Sequence, residues 1–158
     1  MNVIMKQILI CCIFIFTISI ACSAKSSGLR CNLYVIDVMK EKQIYLPSSS
    51  ANDIDIYLKS SAKWEKIPRT ASGKLNHKGA YDAAKSGKYV LATYNGGAKN
   101  GHVAIVNGKK GLAQSKSYNA YVPYAIGSVR GREPELVPIS YQFNADKEPK
   151  MSYFIYVN

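Results

Sequence analysis

The sequence has few of the residues from which metal sites are built. Its 158 residues include four cysteines and two histidines, His77 and His102. Because no cluster of cysteine and histidine has ligand spacing, zinc fingers are excluded and we expect no metal site. No segment repeats at a fixed period, which excludes solenoids. With 6 prolines, 11 glycines and 47% hydrophobic residues, the composition also excludes collagen-like and disordered chains.

The sequence has one long apolar run, and it lies near the N-terminus. Residues 8–20 carry no charge and follow the positive Lys6. Small residues come after the run, at Ala21, Ser23 and Ala24. This order is typical of a secretory signal peptide, which we assign to residues 1–24. A transmembrane helix fits less well, since it needs ~20 apolar residues. We therefore expect a secreted or periplasmic protein in which residues 25–158 form a single domain.

A second interpretation of the same segment involves Cys22. The residues Ser19-Ile20-Ala21-Cys22 resemble a bacterial lipoprotein cleavage box, in which the cysteine is lipidated and becomes the new N-terminus. Ser19 departs from the leucine that is usual in that motif. Cleavage before Cys22 would leave the protein attached to a membrane by a lipid.

Cys31 is the one cysteine that remains in either case as a thiol, because Cys11 and Cys12 leave with the signal peptide. Exported proteins normally pair their cysteines, so an unpaired one indicates an intermolecular bridge or a reactive thiol. The alternative is a buried and inert cysteine.

Acidic residues are scarce relative to basic ones. The chain has 21 Lys and Arg against 10 Asp and Glu, a formal net charge of +11. Outside the cell, this charge favours anionic envelope polymers such as teichoic acids and lipopolysaccharide as partners. The lysines are scattered, and neither a helix-turn-helix pattern nor an RNA-binding signature is present, so we expect no nucleic-acid partner.

The pattern after residue 30 predicts helices followed by strands. An apolar helix begins at Cys31 and ends at the charged residues 40–42, and a second covers residues 54–59 with Asn52 or Asp53 as its cap. A third, rich in alanine, covers residues 79–86 and ends at Gly87. Strands are predicted at residues 88–94, 102–106, 112–115, 121–125, 140–143 and 152–157, with Asn107-Gly108 closing a hairpin. The fold class is α+β, with N-terminal helices packed on a small antiparallel sheet.

The placement of Cys31 and His102 suggests nucleophilic catalysis. A cysteine in the first turn of a helix lies at the positive end of the helix dipole, which favours the thiolate. Such a nucleophile needs a base that titrates near neutrality, which leaves the histidines. His102 opens an apolar strand after a glycine-rich loop, where it can face a cleft, whereas His77 lies in a polar loop and is expected at the surface.

The base also needs a polar residue that orients its second nitrogen, and the next strand offers Gln114. The hairpin register does not select it. A turn formed by Asn107-Gly108 alone places Ala113 opposite His102, and a four-residue loop places Ser115 there. Gln114 reaches His102 only with a loop of three or five residues or after a bulge.

Three segments resemble one enzyme family. They are Cys-Asn-Leu-Tyr-Val at residues 31–35, Ser-Gly-Lys-Tyr-Val-Leu-Ala at 86–92 and Gly-His-Val-Ala-Ile-Val at 101–106. Together they resemble the papain-like cell-wall amidases of the NlpC and CHAP type over residues 30–117. Within that superfamily the chain looks most similar to the small amidase effectors of type VI secretion and their horizontally acquired eukaryotic relatives. The export signal differs from those effectors, which are injected by their apparatus.

The resemblance implies a papain-like fold and assigns roles to particular residues. Cys31 would be the nucleophile, His102 the base and Gln114 the third residue, because the family places that residue twelve positions after the histidine. The family generally has histidine there, so Ser115 and Ser117 remain alternatives. Residues 25–30 contain no Tyr or Gln to support an oxyanion hole, so the backbone N–H groups of Cys31 and Asn32 would form it.

The implied function is a secreted cysteine amidase or endopeptidase that hydrolyses peptide bonds in bacterial peptidoglycan through a thioester. Such a reaction needs no metal or organic cofactor. The expected partners are peptidoglycan and anionic envelope polymers, with a cognate immunity or inhibitor protein as a further candidate, and the expected state is a monomer. Three alternatives remain: a catalytically silent wall-binding protein, an envelope lipoprotein with a structural Cys31, and a papain-like acyltransferase. The bond that is cut would be either a D,D cross-bridge or the γ-D-Glu to diamino acid amide.

Overall fold

The computed structural model describes residues 31–47, 49–128 and 132–157, so the signal-peptide assignment and Cys22 lie outside the described residues. The helices are α1 (Cys31–Glu41), α2 (Ala51–Ser60), α3 (His77–Lys85) and the short α4 (Ile139–Gln142). The strands are β1 (Trp64–Lys66), β2 (Val90–Tyr94), β3 (His102–Ser115), β4 (Ala120–Gly127), β5 (Glu135–Pro138) and β6 (Met151–Tyr156). A single 3₁₀ turn at Glu148–Lys150 precedes β6. No helix in these ranges is long and apolar enough to cross a bilayer.

The strands form one six-stranded sheet in the order β1-β6-β2-β3-β4-β5. Every neighbouring pair is antiparallel. The α+β class is therefore confirmed. One difference from the predicted order is β1, a three-residue edge strand that precedes α3 and places the buried Trp64 in the core.

Helices cover both faces of the sheet, and each face has its own core. On one face, α1 and α2 pack through Val35, Met39, Ile54 and Leu58 against Leu91, Val103 and Phe154. On the other face, α3 and α4 contribute Ala80 and Ile139 to a core with Val90, Ala92, Ala104 and Tyr153. Because β2 is covered on both sides, its first four residues are buried in succession rather than in alternation.

The helix ends follow local capping chemistry. The predicted α1 is confirmed, whereas α2 is capped by Ser50, which accepts from the backbone N–H of Asp53 in a capping box. At the end of α3, Gly87 has a φ of 89° and its N–H donates to Ala84. Lys88 donates in turn to Ala83, which completes a Schellman motif. The prediction that Gly87 ends this helix is therefore confirmed.

The predicted hairpin at Asn107-Gly108 is wrong. β3 continues through these residues to Ser115, with an irregularity in its pairing to β4 between Asn107 and Leu112. The Asn107 side chain accepts from the backbone N–H groups of Lys109 and Lys110, which stabilises a bulge rather than a turn. Gly108 is required for another reason, because a Cβ there would overlap the backbone of α3. The hairpin instead turns at residues 116–119.

The strand predicted at residues 140–143 is also wrong, because this segment forms α4. Pro138 ends β5 and occupies the N-cap position of the helix, and the Phe143 N–H donates back to Ile139. The apolar residues Ile139 and Phe143 are both fully buried. A single helical turn and a short strand bury such a pair equally well, so periodicity does not distinguish them.

Candidate active site

Cys31 is the first residue of α1, and its thiol is free and half-buried. The backbone N–H groups of Cys31 and Asn32 have no partner within the helix, as in any first helical turn. Both lower the pKa of the thiol. The backbone N–H of Val103, from β3, is a third group that lowers the pKa of the thiol. Cys31 therefore lies beside the residue that directly follows His102.

The expectation of a thiolate at Cys31 is wrong for the free protein. Burial raises the pKa of the Cys31 thiol, and the three backbone N–H groups lower it by less. The partial charge at a helix N-terminus stabilises an anion, but removal of water from a sulfur packed against an apolar core opposes it. The resting group is thus the neutral thiol.

His102 begins β3, where it pairs with Tyr94 of β2. Its imidazole packs edge-to-face on the Phe143 ring, with the ring centroids 4.7 Å apart. Its Nε2 lies 3.1 Å from Oε1 of Gln142, the last residue of α4. Gln142 is therefore the side chain that hydrogen-bonds to the His102 imidazole.

The surroundings of Gln142 fix the tautomer of His102. The Gln142 Nε2 donates to the backbone carbonyls of Gly127 and Glu135, each at 3.2 Å. Carbonyls only accept, so the amide nitrogen faces them and the amide oxygen faces His102. His102 must then donate from Nε2, and Nδ1 is left as the bare, basic nitrogen. This arrangement orients the base without adding a charge.

Burial lowers the pKa of His102 to about 4. The hydrogen bond to Gln142 raises the pKa and the ammonium of Lys147 lowers it further. The imidazole is therefore neutral at pH 7 and can accept a proton.

The two side chains approach the start of β3 from opposite faces of the sheet. Cys31 packs with Val103 on the α1 face, whereas His102 packs on Phe143 on the α4 face. Within the described residues, no hydrogen bond joins the thiol to the imidazole. A direct proton transfer between the two groups therefore requires the imidazole to move around the start of β3 toward α1.

Gln114 is not brought to His102. It lies beyond the bulge of β3, paired with Tyr121, and its side chain is exposed. Ser115 and Ser117, the two alternatives, hydrogen-bond to each other at 3.1 Å. The position expected of the third residue is occupied by Gln142, forty residues after His102. In the sequence, no local pattern distinguishes Gln142 as a partner of His102.

The Asn52 side chain orders the glycine-rich loop, residues 95–101, that leads into His102. The Asn52 Nδ2 donates to the carbonyls of Gly97 and Lys99, both at 2.9 Å, and its Oδ1 accepts from the Gly96 N–H at 2.8 Å. Gly101, which directly precedes His102, has no room for a side chain, because a Cβ would overlap the Asn52 amide. Asn52 therefore holds the loop rather than capping α2.

The expectation of a surface His77 is wrong. Asn76 caps α3, so His77 becomes the first residue of the helix and lies in the core with 7% of its surface exposed. Its Nδ1 lies 2.8 Å from the Tyr153 hydroxyl and its ring stacks on Tyr118. Burial, with the charge of Arg69, lowers its pKa to about 4.

Two other features do not form part of this site. In the described ranges, no group of three or more histidine, cysteine or acidic side chains could hold a metal ion. A cleft lined by Lys42, Lys88, Tyr89 and Tyr156 lies at the opposite end of β2 from Tyr94 and His102.

We expect slow alkylation of Cys31 by iodoacetamide at pH 7, with a rate that rises as the pH increases above 9. Because burial raises the thiol pKa, the reactive thiolate is scarce at neutral pH. Because His102 has a pKa of about 4, it carries no charge that would stabilise a thiolate above that pH. The rate is measured by mass spectrometry between pH 5 and pH 10. Rapid alkylation with a constant rate from pH 5 upward would instead indicate a thiolate–imidazolium pair.

The pKa of His102 also predicts the pH dependence of any turnover in which His102 is the base. A base acts only when unprotonated, so lowering its pKa from 6.5 to about 4 moves the acidic limb of kcat/KM down to about pH 4. An acidic limb near pH 6.5 would contradict this assignment of the base.

Comparison with known proteins adds no identification. No protein-family model matches the chain, and no curated protein matches it.

Proposed function

We propose that this protein is a cysteine amidase that hydrolyses peptide bonds in peptidoglycan, with a papain-like arrangement of its site. The observation that carries the proposal is the packing of Cys31, in the first turn of α1, with Val103, the residue that follows His102, whose Nε2 is bound by Gln142. A nucleophile at a helix N-terminus, an imidazole on a strand and an amide that orients it form the constellation used for acyl transfer.

In the proposed mechanism, substrate binding brings the His102 imidazole around the start of β3 to the α1 face, where its Nδ1 takes the proton of the Cys31 thiol as the sulfur attacks the amide carbonyl. The C–N bond then breaks, His102 protonates the leaving amine, and a thioester remains on Cys31. Water, deprotonated by His102, attacks the thioester to give a carboxylate and restore the thiol. The reaction consumes one water and releases one amine and one acid.

The chain offers donors for the oxyanion that forms in this reaction. The backbone N–H groups of Cys31 and Asn32 have no helical partner and lie next to the sulfur. The Asn32 side chain donates to the Ser49 carbonyl at 2.6 Å, which fixes the first turn of α1 against the loop before α2. Asn32 therefore serves this role through its backbone, and its side chain holds the turn in place.

Two features support peptidoglycan as the substrate class. The resemblance of residues 30–117 to cell-wall amidases indicates stem peptides or their cross-links. The net charge of +11 favours a polyanionic matrix, and in the described ranges ion pairs engage only Lys59 and Lys78 among the lysines and arginines. Most of the positive charge is thus available to an anionic wall.

Isolated sacculi provide the direct test. Purified protein is incubated with sacculi of several chemotypes, and the released fragments are identified by liquid chromatography and mass spectrometry. We expect new fragments whose masses identify the bond, whether a D,D cross-bridge or the γ-D-Glu to diamino acid amide. No release from any chemotype would contradict the proposal.

We also expect activity on whole walls to fall several-fold as salt rises from about 0.05 M to about 0.5 M, because salt screens the attraction between the enzyme and the wall. Hydrolysis of a short soluble fragment is the control, and its rate should change much less. Equal turnover on whole walls at both ionic strengths would show that electrostatic attraction to the wall does not contribute to activity.

The half-buried, un-ionised thiol of Cys31 favours one second candidate, a wall-binding protein without catalytic activity. That protein would bind sacculi equally well with Cys31 replaced by alanine and would release no fragments. Sedimentation with sacculi, performed beside the cleavage assay, separates the two candidates.

A further inference from the structure

The residue that orients His102 lies on an element that is too short to hold itself in place. Helix α4 contains four residues, and its N-cap, Pro138, makes no side-chain capping bond. An isolated single turn of helix is unstable in water. The position of Gln142 must therefore be set by contacts between α4 and the rest of the fold.

One such contact is made at Phe143, the residue after Gln142. The Tyr118 hydroxyl donates to the backbone carbonyl of Phe143 at 2.8 Å. The ring of the same Phe143 lies against the His102 imidazole. The hydrogen bond from Tyr118 thus fixes Phe143. This residue follows Gln142 in the chain, and its ring touches His102.

Tyr118 is itself held from several sides. It lies in the turn between β3 and β4, where its N–H donates to the Ser115 hydroxyl at 3.3 Å. Its ring stacks on His77 with centroids 5.6 Å apart. His77 is bonded in turn to Tyr153 of β6. Contacts from the turn, from α3 and, through His77, from β6 therefore hold Tyr118, whose hydroxyl donates to Phe143.

We propose that Tyr118 is a positioning residue that acts through Phe143 to hold His102 and Gln142 in register. This inference rests on the proposed function for its kinetic consequence. The hydroxyl contributes no group to the reaction. It keeps the Phe143 carbonyl, and with it the end of α4, at the distance that lets Gln142 accept from the Nε2–H of His102.

The test replaces Tyr118 with phenylalanine, which keeps the ring on His77 and removes only the donor. We expect kcat for peptidoglycan fragments to fall about tenfold with KM unchanged, because the substrate contacts remain. The second readout needs no activity. In ¹⁵N-labelled protein carrying Cys31→Ala, the His102 Nε2–H is expected to give an exchange-protected signal, and adding Tyr118→Phe is expected to abolish it.

Tyr121→Phe is the matched control, since Tyr121 belongs to the same hairpin and is 63% exposed. It should retain both kcat and the Nε2–H signal. Circular dichroism and Tm establish that each variant is folded. If Tyr118→Phe does not fold, Phe143→Leu tests the same connection at its next contact and should likewise abolish the signal.

A folded Tyr118→Phe protein with wild-type kcat and a retained Nε2–H signal would overturn the positioning role. So would a folded Phe143→Leu protein that keeps the signal. If the wild-type protein releases no fragments at all, the amidase proposal fails, whereas the spectroscopic comparison still decides the role of Tyr118.

Discussion

Replacing Cys31 with alanine is expected to lower the rate of fragment release from peptidoglycan by about 10⁴-fold or more. In the proposed reaction the thiol forms the covalent intermediate, so no other group can replace it. Alanine fits the site, because Cys31 is only half-buried and its side chain packs at the margin of the α1 core. Fragment release by wild type and variant is compared by mass spectrometry, with Tm as a check of folding.

The control for this experiment is binding to the wall. Cys31→Ala leaves the net charge unchanged, so the variant should sediment with sacculi as wild type does. Cys31→Ser adds a second comparison, since it keeps the size of the side chain and provides a much weaker nucleophile. If Cys31→Ala retained a tenth of wild-type activity, Cys31 would not be the nucleophile.

The second large effect is expected at Gln142. Gln142→Ala should lower kcat about 10- to 100-fold, because His102 loses the acceptor that fixes its tautomer and orientation. It should also lower the free energy of unfolding by about 1–3 kcal/mol, since the Gly127 and Glu135 carbonyls lose their donor. Steady-state kinetics and urea unfolding measure the two effects separately.

Gln114→Ala is the matched comparison, because it removes the same side chain from an exposed position on β3. We expect its kcat within about twofold of wild type, since exposed substitutions away from the site rarely matter. A large loss at Gln114 with none at Gln142 would restore the spacing implied by the family resemblance and reject the arrangement around α4.

How far the fold follows from the sequence depends on the range of the interactions involved. Helix α1 and the end of α3 were predictable, because an apolar segment and the glycine at 87 are local signals. The length of β3 was not. Asn107-Gly108 is a strong hairpin signal, yet packing of α3 on Gly108 and the bonds of the Asn107 side chain make a bulge there. Tertiary contacts override the local preference of the dipeptide.

The candidate site divides in the same way. The positions of Cys31 and His102 at the starts of a helix and a strand agree with the prediction. Gln142 could not be derived, because its approach to His102 depends on the placement of β5 and α4, forty residues along the chain. The ionisation of Cys31 also required the structure, since it depends on the balance between burial and the helix terminus.

The position of β6 has a consequence for the order in which the protein is made. β6 follows every other described strand in the chain, yet it lies between β1 and β2 and contributes to both cores. While it is still inside the ribosome, β1 and β2 have no partner for the edges that β6 will occupy, and Tyr153 is not yet present to bind His77. The sheet therefore closes only after β6 has been synthesised. The core in which Cys31 packs with Val103 also contains Phe154 of β6, so it is among the last parts of the molecule to be completed.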